Sequence, residues 1–484
     1  MKKMFALVLL GAMVAGCEAT AQDAPTVIDA AVKAMGTSNL QSIQYSGTGE
    51  VFLLGQNVRP EAPWPRFTVT KYTAGVRYDA PAFREELVRI DDENPPRGGG
   101  AGGYSATTGQ GGMRPIIGEQ TQVRQGTPAT DNGFLQVWMT PHGFLKAAAA
   151  NKATLGNADG RRTLTFQGRN KAMVTGTLND ENLVERIETH VDNPMLGDML
   201  VEALYTDYKD YNGVKFPARI VERQGGNPTL DVNISSVQPN GAGTLEVRAN
   251  PPAEGAGQAA TSERLGTGIW MITAGLNSVL VEFADHLVVI EALGNDARSK
   301  LVMAEVKRLV PNKPLRYVVN THAHFDHSGG IRAFAAEGVT IVTQDVNKPF
   351  MEKVLSLPHQ INPDSLAKAN QKGVVEGFSD KRIMTDGKQT LELHHIAGNN
   401  HHDGILMAYL PTIKVLVQAD AFHPRPGATW QYPSPPQFTV NLVENVERLK
   451  LDVDRVLHIH GGIDSYAVVE KAAGRPSASL QTRR

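Results

Sequence analysis

The chain has 484 residues, too many for one ordinary core and enough for two domains. Its apolar fraction of 41% and charged fraction of 20% are those of a chain that folds. The formal net charge is -2 and no basic stripe stands out, which argues against a nucleic-acid partner.

At the N-terminus, Lys2 and Lys3 precede an apolar stretch from Phe5 to Gly16. The stretch is too short to span a bilayer and suits the core of a signal peptide, expected over residues 1–16. It ends in Val14-Ala15-Gly16-Cys17. That ending resembles the lipobox of bacterial lipoproteins. The resemblance implies export, cleavage before Cys17, and a lipid on Cys17 that tethers the chain to the periplasmic side of a bacterial membrane. Cys17 is the single cysteine, so no disulfide forms within the chain and no thiolate is left for catalysis or metal binding. Residues 17–26 read as a tether. A helix is expected from Val27 to Met35, ended by Gly36.

From Gln44 to Gln238 the pattern alternates and is β-branched, as in Gln44-Tyr45-Ser46-Gly47-Thr48-Gly49-Glu50-Val51 and Arg162-Thr163-Leu164-Thr165-Phe166. Asp210 to Pro217 reads as a hairpin, with Asn212-Gly213 supplying the two positive-φ turn positions. Arg97 to Gly112 is Gly-rich and reads as a loop. Residues 27–240 are therefore expected to form a mainly antiparallel β domain. It resembles the curved sheets of periplasmic lipoprotein-carrier proteins. Residues 241–266 turn to Gly, Ala, Pro and polar residues and read as a linker.

Over 267–470, short apolar strands alternate with helices. The strands are Ser278 to Phe283, Leu287 to Glu291, Arg316 to Asn320, Val339 to Thr343, Thr390 to His395, Ile405 to Tyr409, Lys414 to Gln418 and Arg455 to Ile459. The helices are Ala297 to Leu309, Gly330 to Ala336 and Phe438 to Leu449. This predicts a layered α+β domain. The tail, 471–484, is polar and reads as loose.

Three of the fourteen histidines precede residue 320, and the remainder cluster in the last third. The densest run is His322-Ala323-His324-Phe325-Asp326-His327, directly after a predicted strand. Residues two apart at a strand end point the same way, so His322 and His324 can reach one cation. Asp326 and His327 lie on the following turn, within reach of a second. Gly329 and Gly330 are expected to allow the sharp exit into the next helix. Imidazole with carboxylate suits zinc, with iron or manganese as alternatives.

The run resembles the HxHxDH signature of the metallo-β-lactamase fold superfamily. The resemblance extends over about residues 265–465. It implies an αββα sandwich and a site of two Zn2+ ions. On the superfamily pattern, His322, His324 and His401 hold the first metal. Asp326, His327 and His460 hold the second, and Asp420 bridges both. Two such cations share a hydroxide at neutral pH, and Asp326 is the catalytic residue that orients it and relays its proton. His402 is the alternative to His401, and His458 the alternative to His460. His394, His395 and Tyr409 read as strand residues. His423 reads either as lining the site's mouth or as an exposed loop residue. Trp430 and Tyr432 read either as pocket-shaping or as anchors of a solvent loop. Glu291 stands where the superfamily often carries an Asp that supports the site indirectly.

The implied activity is hydrolysis of a small ester, lactone or related small molecule outside the cytoplasm. A bridging Asp is more like the lactonase, thioesterase, phosphodiesterase and alkylsulfatase branches than the two-zinc β-lactamases. The Cys-ligated β-lactamases are excluded by Cys17 being the one cysteine. The alternatives are a lipid or glycan carrier with an accessory metal domain, an iron-dependent oxygenase of the same superfamily, and a β-lactamase.

Overall fold

Alternation in the first half and strand–helix alternation in the second are realised as three sheets. The computed structural model describes residues 23–99, 118–126, 133–168, 173–241, 259–424 and 435–475. The signal stretch with Cys17, most of the Gly-rich loop, and Trp430 and Tyr432 lie outside the described residues.

The first helix, Ala24–Met35, starts at Asp23, whose carboxylate accepts from the Thr26 N–H, and ends at Gly36 in the left-handed region. It lays Val27, Ile28, Ala31 and Met35 against an antiparallel sheet of eleven described strands. Each strand pairs with its neighbour in sequence, with one exception. The first strand, Ser42–Phe52, pairs on one side with Arg66–Arg77 and on the other with the last, Asn227–Pro239. The expected hairpin joins Gly197–Tyr211 to Val214–Gln224, with Asn212 and Gly213 both at positive φ. The core of this half holds Tyr45, Phe67, Tyr72, Phe144, Phe216 and Ile43.

The second half has four layers. A seven-stranded sheet faces a six-stranded sheet across Val279, Val281, Val288, Ile290, Val319, Leu391, Leu393, Leu406, Val417 and Leu457. Asp296–Leu309 and Ile331–Ala336 cover the outside of the first sheet, and Gln437–Leu449 and Tyr466–Ala472 cover the second. This is the expected αββα sandwich. The stretch expected to be linker up to residue 266 holds an edge strand, Thr261–Gly266, paired with Ile269–Ala274. Residues 348–385 carry two helices, Lys348–Ser356 and Ser365–Ala369, and two strands, Val375–Phe378 and Lys381–Thr385.

The two halves are not separable beads. Leu54, Trp64, Met195, Met199 and Val201 of the first belong to the same buried cluster as Ile272, Leu280, Phe325 and Phe334 of the second. Asp198 adds polar ties: its carboxylate accepts from the Gln360 and Ile361 N–H groups, and its own N–H donates to the Pro358 carbonyl. Truncating Met199 to Ala should therefore destabilise the whole chain by roughly 2–5 kcal/mol. Urea unfolding should show one lowered midpoint by both circular dichroism and tryptophan fluorescence. A second transition left at its original midpoint would contradict the shared core.

Candidate metal centre

The central strand Leu315–Val319 runs parallel between Leu287–Ile290 and Thr340–Gln344. Open α/β sheets leave a crevice beyond the carboxyl ends of such strands. His322 to His327 fill that position. The Asn320 amide holds the turn, donating to the His327 carbonyl at 3.1 Å and to Ser328 Oγ at 3.0 Å, while Ser328 Oγ donates to the His322 carbonyl. Gly329 and Gly330 serve differently from expectation. Their φ values are -61 and -100, open to any residue, so conformation does not require glycine. Close packing does: a Cβ on Gly329 would overlap the Gly294 carbonyl, and one on Gly330 would overlap Ser299 Oγ and the Ala292 carbonyl.

The opposing sheet brings three more groups. His401 lies between Thr390–His395 and Leu406–Leu410, its N–H bound by Asn399 Oδ1 at 2.9 Å. Asp420 follows Val415–Gln418, in a turn shaped by Gln418, whose Oε1 accepts from the Ala421 and Phe422 N–H groups. His460 follows Arg455–His458, and Asn277 ties that segment down by donating to the His458 and Gly461 carbonyls.

All seven predicted residues converge, in the predicted grouping. His322, His324, His401 and Asp420 form one cluster, and Asp326, His327, Asp420 and His460 form another, each with its donor atoms within 4.8 Å of one another. Four donors held ~2.0–2.1 Å from one ion in a tetrahedron sit about 3.3 Å apart. The observed spacings are close to that. His322 Nε2 is 3.3 Å from His401 Nε2, and His401 Nε2 is 3.2 Å from Asp420 Oδ2. In the other group, His327 Nε2 is 2.9 Å from His460 Nε2, 3.4 Å from Asp326 Oδ2 and 3.3 Å from Asp420 Oδ2. His324 Nδ1, Asp326 Oδ2 and Asp420 Oδ2 are buried and accept no hydrogen bond. Buried polar atoms are rarely left so, and these point into the two clusters. The donor set fits a pair of cations.

Charge agrees. Burial holds His322 well below its ordinary range and brings His324 and His460 to about 3, so these rings are neutral and have a lone pair to give. Burial opposes ionisation of Asp326 and Asp420. The adjacent His327 outweighs it, taking Asp326 to about 2 and Asp420 well below its usual range. At His327 burial is again outweighed, here by Asp420, Asp326 and Glu291, which raise the ring well above normal. Three carboxylates thus face the His327 ring, and a cation bound in the second cluster would take the place of its proton.

The outer layer was only partly legible in the sequence. Glu291, buried at the end of Leu287–Ile290 and at φ 80, accepts from the Thr321 N–H at 2.9 Å and binds His327 Nδ1 at 2.8 Å. It therefore fixes the His327 ring with Nε2 toward the cluster. Its place after an apolar strand was the available signal. His423 is buried, not exposed, with Nε2 2.9 Å from Asp420 Oδ1. His402 is turned aside, accepting from the Gly404 N–H, and belongs to neither cluster. His458 is bound by Gln418 and lies 3.3 Å from Asp464. His394 and His395 are in the strand Thr390–His395, and the Tyr409 hydroxyl donates to the Asp452 carbonyl.

Residues 274–460 match the family model of the Metallo-beta-lactamase superfamily. The second half of the chain thus has the metallo-β-lactamase fold, which typically takes divalent metals, usually zinc. Among solved structures, the chain is similar to a metallo-beta-lactamase from Pontibacter korlensis at 19% identity, over 44% of this chain and 97% of that one, with a TM-score of 0.34. It is similar to a metallo beta lactamase from Hirschia baltica at 22% identity, over 45% and 99%, with a TM-score of 0.34. It is also similar to the metallo-beta-lactamase FIM-1 from Pseudomonas aeruginosa, in its mono-zinc form, at 16% identity, over 45% and 94%, with a TM-score of 0.34. No curated protein matches the chain.

Within the metallo-β-lactamase domain, Asp420→Ala removes the one residue common to both clusters. It should lower metal content well below that of the unchanged protein, while His402→Ala should keep it. Elemental analysis of dialysed samples decides this, and equal losses would move the ligand role toward His402. Glu291→Ala should weaken metal affinity by about 10–100-fold, measured by competition with a chelator. Unaltered affinity would mean that Glu291 does not hold His327.

Proposed function

We propose that the chain is an exported hydrolase with two zinc ions, acting on a small ester, lactone or related compound. The observation that carries this reading is the placement of Asp420. One buried carboxylate lies 3.2 Å from His401, 3.3 Å from His327 and 3.8 Å from His322, joining both ligand groups. Two cations held there supply, when bound, a water of lowered pKa and Lewis acidity toward the scissile oxygen.

The chain's own residues do the remainder. His322, His324 and His401 bind on one side, and His327 and His460 on the other. Asp326 has Oδ1 taken by an amide at 2.9 Å, which leaves Oδ2 facing the second cluster, where it would orient a water held there. His423 on Asp420 Oδ1 keeps the other carboxylate oxygen turned inward. Asp326 and His460 are the least buried members, so the substrate approaches from their side. The slightly negative net charge and the implied export favour a small molecule over RNA. Lipidation at Cys17 would place the reaction at a membrane surface.

The carrier reading draws on one observation, a cavity in the N-terminal sheet lined by Tyr45, Tyr72, Phe83, Tyr205 and Phe216. The core that this sheet shares with the metal domain favours a joint role over an independent one. Uptake of a fatty acid by a delipidated Asp420→Ala sample, with no hydrolysis by the unchanged protein, would favour the carrier.

Purified protein should contain zinc and hydrolyse at least one member of a panel of lactones, esters, thioesters and β-lactams. A metal-loaded sample inert toward the whole panel would overturn the hydrolase reading. A single bound iron per chain would redirect it to oxygen chemistry.

A further inference from the structure

The segment 53–65 joins the first two strands of the N-terminal sheet, and it does not turn back on that sheet alone. It reaches across to the metal domain. The Phe325 N–H donates to the Gly55 carbonyl at 3.3 Å, and the Asp403 N–H donates to the Val58 carbonyl at 2.7 Å. Between these two clamps lie Gln56, fully buried, and Asn57, 5% exposed. Gln56 Nε2 donates to Asp326 Oδ1 at 2.9 Å, a bond across 270 residues of chain. The Asn57 carbonyl lies 2.9 Å from His324 Nε2.

Each contact sets the direction of one ligand. A carbonyl only accepts, so the ring nitrogen facing Asn57 is the protonated one. His324 is thereby held in the tautomer whose bare nitrogen is Nδ1, the buried atom with no partner. Gln56 must present its NH2 to the Asp326 carboxylate, because the reversed amide would set oxygen against oxygen. That occupies Oδ1 and leaves Oδ2 for the second cluster.

The segment is built to stay in place. The Asn57 side chain donates to the Pro60 carbonyl at 2.9 Å and the Ala62 carbonyl at 3.3 Å, folding the segment about itself. Leu54 and Trp64 anchor it in the shared core. A second segment of the first half locks it from above. The Gly99 N–H donates to the Gln56 carbonyl at 2.9 Å, and the Gly98 N–H donates to the Asn400 carbonyl, beside His401, at 2.8 Å. A Cβ on Gly99 would overlap Gln56 Oε1.

We propose that Gln56 is a positioning residue of the metal centre, contributed by the N-terminal sheet, and that it acts on the second cation through Asp326. The catalytic consequence rests on the hydrolase reading, but the effect on metal binding does not. Gln56→Met keeps the side chain's length and removes the donor. Gln56→Leu likewise removes the donor and stays clear of His324.

The test is a stepwise zinc titration of the full chain against a chromophoric chelator, with circular dichroism confirming the fold. Both variants should weaken one of the two binding steps about 10–100-fold, the same step that His460→Ala weakens, with the other affinity within about twofold of the unchanged protein. Unchanged affinities in both variants, or equal weakening of both ions, would overturn the inference. An unchanged protein that binds no pair of ions would instead bring down the two-cation reading, and this inference with it.

Discussion

The Asp420 carboxylate carries a negative charge where no isolated charge is stable. It is fully buried, and removing an ion from water costs several kcal/mol unless partners compensate. Imidazoles approach it from both sheets, and its Oδ2 has no hydrogen-bond donor of its own. The surrounding architecture follows from satisfying that one group. Two sheets must end at the same place, and each must end in a turn that exposes nitrogen donors. Glu291, Gln418, Asn277, Asn320 and Asn399 hold those turns, and none of the five is itself among the clustered donors.

Part of this was readable from the chain alone, for a definite reason. His322 to His327 lie close in sequence because one strand end and one turn carry them, and local spacing is what a sequence displays. His401, Asp420 and His460 were found because each follows or precedes an apolar strand, and the strand order matches a known pattern. Of the two histidines in one turn, His401 lies in the first cluster and His402 is turned aside to the Gly404 N–H.

What stayed hidden depends on tertiary closure. Glu291 was visible as an odd residue, but its partners, Thr321 and His327, are set by the parallel pairing of two strands. Gln56 carries no local signal, because its partner lies in the other half of the chain. The strand Lys381–Thr385 was missed because it is a five-residue edge strand with no buried residue: its apolar Ile383 is exposed, so no core-facing alternation marks it. The pairing of Ser42–Phe52 with Asn227–Pro239, which sets the order of the N-terminal sheet, is equally non-local.

If a ligand shifts the segment around Gln56, the two halves become thermodynamically reciprocal. Any compound that binds the first sheet and prefers one placement of that segment must change the affinity for cations by some factor. Cations must then change the affinity for that compound by the same factor. The aromatic cavity and the metal centre would then be two inputs to a single equilibrium. Metal supply would tune what the sheet holds, and what the sheet holds would tune how readily the centre is filled.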